Sequence, residues 1–214
     1  MSNKNWWKKL EKLEACPESI EWAKTQPSAT AAWRNCKRSD WMLWIACVLC
    51  KQNSKQHRRI VLAACKCVRL ALKYIPKSEK RPLIAIRVAE KWANNKATLE
   101  EVYVAEQGAW DAFYDLSSAA ARDAAAAACA AAAAGRAAGG RAAGRYRTAG
   151  HDSTRAAGRL AGRDAATAAG DVAGGAGYNN SGEWDSSNYN KAYNRSLAKQ
   201  ANIVRKYVKQ PRFK

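Results

Sequence analysis

The sequence predicts an all-α protein, a multi-helix bundle of seven to nine helices. Apolar residues recur at three- and four-residue intervals in several stretches. No alternating Val/Ile/Thr run joined by an Asn-Gly or Asp-Gly turn occurs anywhere in the 214 residues. Helix-capping residues separate the apolar stretches from one another, so the pattern is that of successive helices.

The first helices are predicted from their caps. Pro17 suits the first turn of a helix, and Ser28 is predicted to be the N-cap of the next one. Asp40 directly precedes a strongly apolar stretch and is predicted to be its N-cap. Because that stretch is apolar on nearly every side, we expect its helix at the centre of the domain, with Trp41 and Trp44 as core groups.

Three further helices follow in the first half. Residues 56–75 have the clearest amphipathic pattern and are followed by a proline. Another helix is predicted from about Pro82 to Asn94. Thr98 and Glu101 have the spacing of a capping box, which predicts that a long helix begins there.

The composition changes near residue 117. Eight of the nine tryptophans lie before residue 111, whereas residues 119–176 hold 27 alanines and residues 135–182 hold 12 of the 13 glycines. Alanine is the best helix former, and each interior glycine costs about 1 kcal/mol relative to it. The second half has too few large apolar groups to build its own core.

We therefore expect one structural domain, in which residues 117–214 pack as helices on the tryptophan-rich residues 1–116. Residues 189–208 return to a helical pattern at the end of the chain. A disordered low-complexity tract is the competing interpretation of the alanine- and glycine-rich part.

The charge is strongly positive and spread along the chain. There are 37 Lys and Arg against 18 Asp and Glu, a net charge of +19, and both halves are basic. Such a field attracts polyanions and acidic proteins. The longest strongly apolar run has ten residues, against roughly 20 for a membrane span. The first residues also lack the apolar core of a signal peptide, so we expect a cytoplasmic protein with reduced cysteines and no membrane partner.

The candidate binding residues form a basic series with four-residue spacing. They are Arg147, His151, Arg155, Arg159 and Arg163. On a helix this series advances about 24 Å along one slowly turning edge, and the planar guanidinium group binds phosphate or carboxylate in bidentate fashion. The series is therefore predicted to bind an anionic partner. The alternative is a solvated helix face that keeps an alanine-rich surface soluble.

No catalytic, metal or cofactor site is predicted. Cys47, Cys50, Cys65 and Cys67 resemble two zinc-ligand pairs, but on a helix positions 65 and 67 point about 200° apart, which favours buried apolar thiols. His57 begins a basic helix and is predicted to be solvated. Motifs for nucleophilic catalysis, phosphate loops and dinucleotide binding are absent from the sequence, so we expect a protein that is not an enzyme.

Several segments carry a resemblance to a known family. The most specific is residues 33–44, WRNCKRSDWMLW. The others are residues 15–17, 21–23, 61–72 and 201–206. With these segments and its alanine-rich second half, the chain resembles the immunity-five-like family of helical immunity proteins of bacteria and phages. The resemblance implies a helical fold and a protective or inhibitory role in the cytosol of a bacterial host, and it supplies no catalytic residues. Between Gly135 and Gly177 the chain has more glycines than that family.

These observations favour a non-enzymatic binding or inhibitor protein of the immunity or phage counter-defence type. It would sequester an acidic protein, such as a toxin or a defence component, or an anionic nucleotide signal. A second copy of the chain is a further candidate partner.

The alternative is a nucleic-acid-binding protein that uses its arginine-rich helices, and a hydrolase acting on nucleotides comes third. Tyr146 is the only aromatic residue in the arginine tract, and no nucleic-acid-binding module is visible. Nonspecific binding of nucleic acid at low salt is expected from charge alone.

Overall fold

The computed structural model describes residues 5–51, 54–117, 119–136 and 186–211. Within these ranges the prediction of an all-α bundle is confirmed, because the chain forms nine α-helices, one short 3₁₀ turn and no strand. In chain order they are α1 (Lys8–Lys12), α2 (Pro17–Lys24), α3 (Ala29–Asn35), α4 (Ser39–Leu49), α5 (Lys55–Val68), the 3₁₀ turn (Leu72–Tyr74), α6 (Arg81–Ala93), α7 (Leu99–Asp115), α8 (Ala119–Arg136) and α9 (Ser186–Tyr207). None of these helices is long and apolar enough to cross a membrane.

Helix α5 lies at the centre and is buried on two sides. Val61, Cys65 and Val68 pack into a core shared with α6, α7 and α8. Ile60 and Cys67 pack into a second core with α4 and α9. A third core joins α4 to α1, α2 and α3 and contains most of the tryptophans of the chain.

Helix α8 packs through small side chains. Ala128, Ala131 and Ala132 lie with Cys129 in the core that α8 shares with α5, α6 and α7. Because alanine projects so little, α8 and α7 can approach closely without leaving voids. A helix of this composition is thus stabilised by its neighbours as well as by alanine's helix propensity.

The predicted helix starts at Pro17, Ser28 and Thr98 are confirmed. Pro17 is the first residue of α2. The Ser28 hydroxyl accepts a hydrogen bond from the backbone N–H of Ala31 at 3.2 Å. Thr98 and Glu101 form both hydrogen bonds of a capping box. Local signals therefore fix these three helix starts.

The prediction for Asp40 is wrong, and the one for Trp41 holds only in part. Helix α4 begins at Ser39, so Asp40 lies inside the first turn instead of at the N-cap. Its carboxylate accepts two hydrogen bonds from Arg38, at 3.0 and 2.8 Å. The Arg38 guanidinium also lies 4.5 Å from the ring centroid of Trp41, which is half-buried at the surface. Trp44 is buried, as predicted.

The helix predicted over residues 56–75 is shorter in the structure. Helix α5 ends at Val68, and the chain continues through a turn into the 3₁₀ segment Leu72–Tyr74. Pro76 has no N–H, its ring would clash with an α-helical carbonyl four residues earlier, and it disfavours the helical conformation at Ile75. Ile75 is still buried, because the turn returns it to the core.

A carboxylate on α6 is held by two cations at the C-terminal end of α5, Lys66 in its last turn and Arg69 directly after it. Glu90 accepts hydrogen bonds from Nε and Nη2 of Arg69, at 3.0 and 2.7 Å. Lys66 adds an ion pair at 2.9 Å. Burial alone would raise the pKa of Glu90, but the hydrogen bonds from Arg69 and Lys66 outweigh it and hold this pKa below the ordinary value of 4.5.

The ion pairs of Glu90 with Arg69 and Lys66 predict that the fold loses stability as the pH falls. Because the pKa of Glu90 is lower in the folded state, its ionised form stabilises the fold above the unfolded pKa, and that contribution is lost as the pH falls through the folded pKa. Glu90→Gln should cost about 1–3 kcal/mol at pH 7, and the difference from the parent protein should shrink below pH ~4.5. Urea unfolding from pH 7 to pH 3 measures this, with Glu100→Gln as the exposed control. A difference that is constant with pH would contradict the prediction.

Candidate functional site

The predicted anion-binding series lies outside the described residues. Arg147, His151, Arg155, Arg159 and Arg163 all fall between the end of α8 and the start of α9. Their role in binding an anionic partner stays a prediction.

A second basic series lies on the described helix α9. Its exposed cations are Lys191, Arg195, Lys199 and Lys206, and Lys209 follows just after the helix ends at Tyr207; these five are called the basic ridge below. With exposed Asn202 between them, the positions are three or four residues apart, so the four helical cations share one face of α9. From Lys191 to Lys206 the ridge advances about 22 Å along the axis.

The opposite face of α9 anchors the ridge. Leu197, Ala201, Val204 and Val208 are almost fully buried, and the last three belong to the core shared with α4 and α5. The recurrence of these residues at three- and four-residue intervals is the amphipathic pattern that turns the cations toward solvent. The tertiary packing of α9 therefore sets the positions of the basic ridge.

The cations of the basic ridge are uncompensated within the described ranges. Arg38, Arg69 and Arg81 each pair with carboxylates, whereas no ridge cation forms an ion pair with a described residue. Helix α9 itself contains no Asp or Glu. The ridge is thus a stripe of positive charge available to an anionic partner.

Arg205 of the same helix has a structural role. Its Nε donates a hydrogen bond to the carbonyl oxygen of Trp33 at 3.2 Å. Its Nη2 donates to the carbonyl oxygen of Cys36, and its Nη1 donates to Oδ1 of Asn202 at 2.9 Å. Arg205 therefore caps the C-terminal end of α3 and is not part of the basic ridge.

A cleft lined by tryptophans opens near the C-terminal end of the ridge. Its volume is about 60 Å³, and its walls come from α1 to α4 and from Gln210. The indoles that line it are Trp6, Trp22, Trp33, Trp41 and Trp44. Apart from Gln210, the one polar lining side chain is Ser19.

The cleft and the basic ridge are joined by the segment that follows α9. Gln210 lines the cleft, and the ridge cation Lys209 precedes it directly. Gln210 Nε2 donates a hydrogen bond to the hydroxyl of Thr30 at 3.1 Å. Gln56 Nε2 donates to the carbonyl oxygen of Lys209 at 3.1 Å. These bonds fix the point at which the charged stripe meets the apolar cleft.

The prediction that His57 is solvated is wrong. Its side chain is fully buried, edge-on to the Trp92 ring of α6 at 5.9 Å. The Ser54 hydroxyl caps α5 by accepting from the His57 N–H, which places His57 on the same face as buried Ile60 and Val61. Helical position outweighs the basic sequence neighbours, and His57 is not available as a surface base.

Of the four paired cysteines, Cys47, Cys65 and Cys67 are buried thiols, as predicted, whereas Cys50 is only half-buried. Burial raises the pKa of Cys47 and of Cys67 to about 12, and it also raises the pKa of Cys65. Each is therefore protonated at neutral pH, the form that is a poor nucleophile and a poor metal ligand. In the part of the chain that the structure describes, no group of three or more His, Cys, Asp or Glu could hold a metal ion.

Comparison of the chain with protein-family models, with curated proteins and with solved structures finds no match. No relative therefore supplies binding or catalytic residues, and the resemblance to the immunity-five-like family stays a prediction. On chemical grounds the candidate sites of the described residues are the basic ridge and the tryptophan-lined cleft.

Proposed function

We propose that this protein is a non-enzymatic binding protein that sequesters an acidic protein. The observation that carries the proposal is the basic ridge, a row of five exposed cations without ion-pair partners among the described residues. The net charge of +19 adds long-range attraction for the same class of partner. From the resemblance noted above, the partner is a toxin or a defence component, and the role is that of an immunity or counter-defence inhibitor.

The length of the ridge favours a protein over a small ligand. Its cations extend over about 22 Å, which suits an acidic helix or an extended acidic segment. An anionic nucleotide signal would contact two or three neighbouring cations at most. Sequestration needs no chemical step, so the proposal requires only charge and shape from the ridge.

The test compares the loss of binding when three positive charges are removed from the ridge with the loss when three are removed elsewhere. The ridge variant combines Arg195→Ala, Lys199→Ala and Lys206→Ala. Its matched control combines Arg87→Ala, Lys77→Ala and Lys96→Ala, which are also exposed and unpaired among the described residues. The probe is a fluorescent 20-residue poly-glutamate, followed by anisotropy.

The ridge variant should bind this probe about 10-fold or more weakly, because each exposed pair is worth up to ~1 kcal/mol. The control should change far less, and circular dichroism should show unchanged helix content in both. Equal losses in the two variants would mean that net charge alone binds the probe, which would overturn the proposal.

Nucleic acid binding is the second candidate. The observation in its favour is that four of the five ridge cations are lysines, which contact phosphates as point charges. A duplex probe of 20 base pairs separates the two functions. Binding that neutralises six to ten phosphates should weaken about 10³–10⁵-fold between 50 and 200 mM salt. If the protein bound DNA or RNA tightly and structure-selectively at 200 mM salt, and the ridge variant lost this binding, the partner would be nucleic acid and not an acidic protein.

A further inference from the structure

We propose that the tryptophan-lined cleft is an anchor pocket for one aliphatic side chain, of leucine size, carried by an acidic segment of the partner. This inference deepens the proposed function and rests on it, because the segment that enters the cleft is the one attracted by the basic ridge. The ridge gives attraction and orientation, and the cleft gives side-chain specificity.

The size of the cleft selects the occupant. Its volume is about 60 Å³, well below the roughly 150 Å³ of an apolar cavity that binds benzene. An aromatic ring is therefore too large without rearrangement of the walls. The branched end of an aliphatic side chain fits.

The lining selects an apolar occupant. Five indoles, together with Met42 and Ile45, are half of the fourteen lining residues, and no charged side chain lines the cleft. A polar or charged group placed inside would lose its hydration and find few hydrogen-bond partners. Pockets of this kind, rich in tryptophan and bordered by polar residues, are where interface residues contribute most to affinity.

The charges next to the cleft select the acidic segment around that side chain. Arg34, Lys37 and Lys209 each adjoin a lining residue in the chain, are exposed, and form no ion pair with a described residue. By contrast, three of the four carboxylates that adjoin lining residues are neutralised by cations, and only the exposed Glu11 forms no ion pair with a described residue. Arg38 binds those of Glu18 and Asp40, and Lys24 binds that of Glu21. An acidic segment is therefore favoured around the opening of the cleft, and a basic one is disfavoured.

The position of the cleft makes simultaneous contact feasible. Lys209 is the last cation of the ridge and is bonded to Gln210, which forms part of the cleft wall. A segment lying along the ridge thus reaches the cleft without a gap. The Arg205 bonds to the carbonyl groups of Trp33 and Cys36 tie the same part of α9 to two lining residues.

The experiment uses three fifteen-residue peptides of Glu and Asp that differ in the central residue, which is leucine, alanine or serine, so that seven acidic residues can extend along the ridge from the cleft. Binding to the full chain is followed by tryptophan fluorescence and by calorimetry at 150 mM salt. The leucine peptide should bind about 10–30-fold more tightly than the alanine peptide, the effect of burying up to three more carbon atoms. It should also change the tryptophan emission, since the indoles line the cleft.

Filling the cleft should remove this preference. Ala32 and Ala29 line the cleft, so the two variants are Ala32→Leu and the milder Ala29→Val. If circular dichroism shows that Ala32→Leu does not fold, Ala29→Val alone tests the anchor pocket. Each should bind the leucine and alanine peptides equally while keeping ridge-dependent binding. Ala31→Leu, on the same helix but outside the lining, is the matched control and should keep the preference.

The outcomes separate the two proposals. Equal binding of the three peptides to the parent protein, still lost in the ridge variant, would overturn the anchor pocket and leave the proposed function standing. No ridge-dependent binding of any peptide would overturn the proposed function itself. If the protein formed a concentration-dependent dimer that Ala29→Val disrupts, the occupant of the cleft would be a second copy of the chain. If an uncharged peptide showed the same preference for leucine, the cleft would accept any aliphatic segment. Either result would overturn the acidic partner.

Discussion

Trp44→Ala is expected to lower the free energy of unfolding by about 3–5 kcal/mol. The indole of Trp44 is only 5% exposed and belongs to the core in which α4 meets α1, α2 and α3. Its removal exposes apolar surface and leaves a void that the short surrounding helices must close. Because α1 to α3 have five to eight residues each, their stability depends on this packing more than on helix propensity.

Urea unfolding followed by circular dichroism measures the effect of Trp44→Ala. The control is Trp7→Ala, because Trp7 is half-exposed and lies beneath Lys24 at 5.0 Å. The control should cost well under half as much, since a large part of its surface is already in water. If Trp44→Ala abolished binding of the leucine peptide with no change in unfolding, Trp44 would be a binding group and its role in the core would be wrong.

The parts of the fold that the sequence predicted correctly depend on local chemistry. Ser28 satisfies an N–H three residues ahead, and Thr98 and Glu101 satisfy each other's backbone groups, so nearby residues suffice to identify both caps. The buried face of α9, with Leu197 and Val204, follows from apolar periodicity alone.

The errors occur where another side chain competes with the local preference. Asp40 has the chemistry of an N-cap, but Arg38 takes its carboxylate and α4 begins at Ser39. His57 has basic neighbours, but its position on α5 turns it onto Trp92. The competing partner is local for Asp40, two residues away, and tertiary for His57, on a different helix.

The candidate sites differ in how well a sequence predicts them. The basic ridge recurs at three- and four-residue intervals, close to the four-residue spacing of the series from Arg147 to Arg163, so spacing and the absence of carboxylates from α9 would have identified it. The cleft could not be identified in this way. Its indoles lie in separate segments of the first 44 residues, and only the packing of α1 to α4 brings them together.

Gln200→Ala is expected to cost about 2–4 kcal/mol, because it removes a buried polar link between α9 and α4. The Gln200 side chain is fully buried. Its Oε1 accepts a hydrogen bond from the hydroxyl of Ser39 at 2.9 Å, and its Nε2 donates to the hydroxyl of Ser196 at 3.3 Å. The alanine variant leaves the Ser39 hydroxyl buried without this acceptor and creates a cavity.

A double-mutant cycle isolates the link between Gln200 and Ser39. Ser39→Ala alone leaves the Gln200 side-chain carbonyl oxygen without its donor, so each single variant loses the same hydrogen bond. The double variant should therefore destabilise the fold by about 1–2 kcal/mol less than the sum of the two single variants. Exposed Gln107→Ala is the control and should change stability by less than ~0.5 kcal/mol. Strict additivity would show that the bond does not hold α9 to α4. In that case the buried apolar face of α9 and the Arg205 hydrogen bonds to the end of α3 would hold the basic ridge in place, because neither depends on the bond between Gln200 and Ser39.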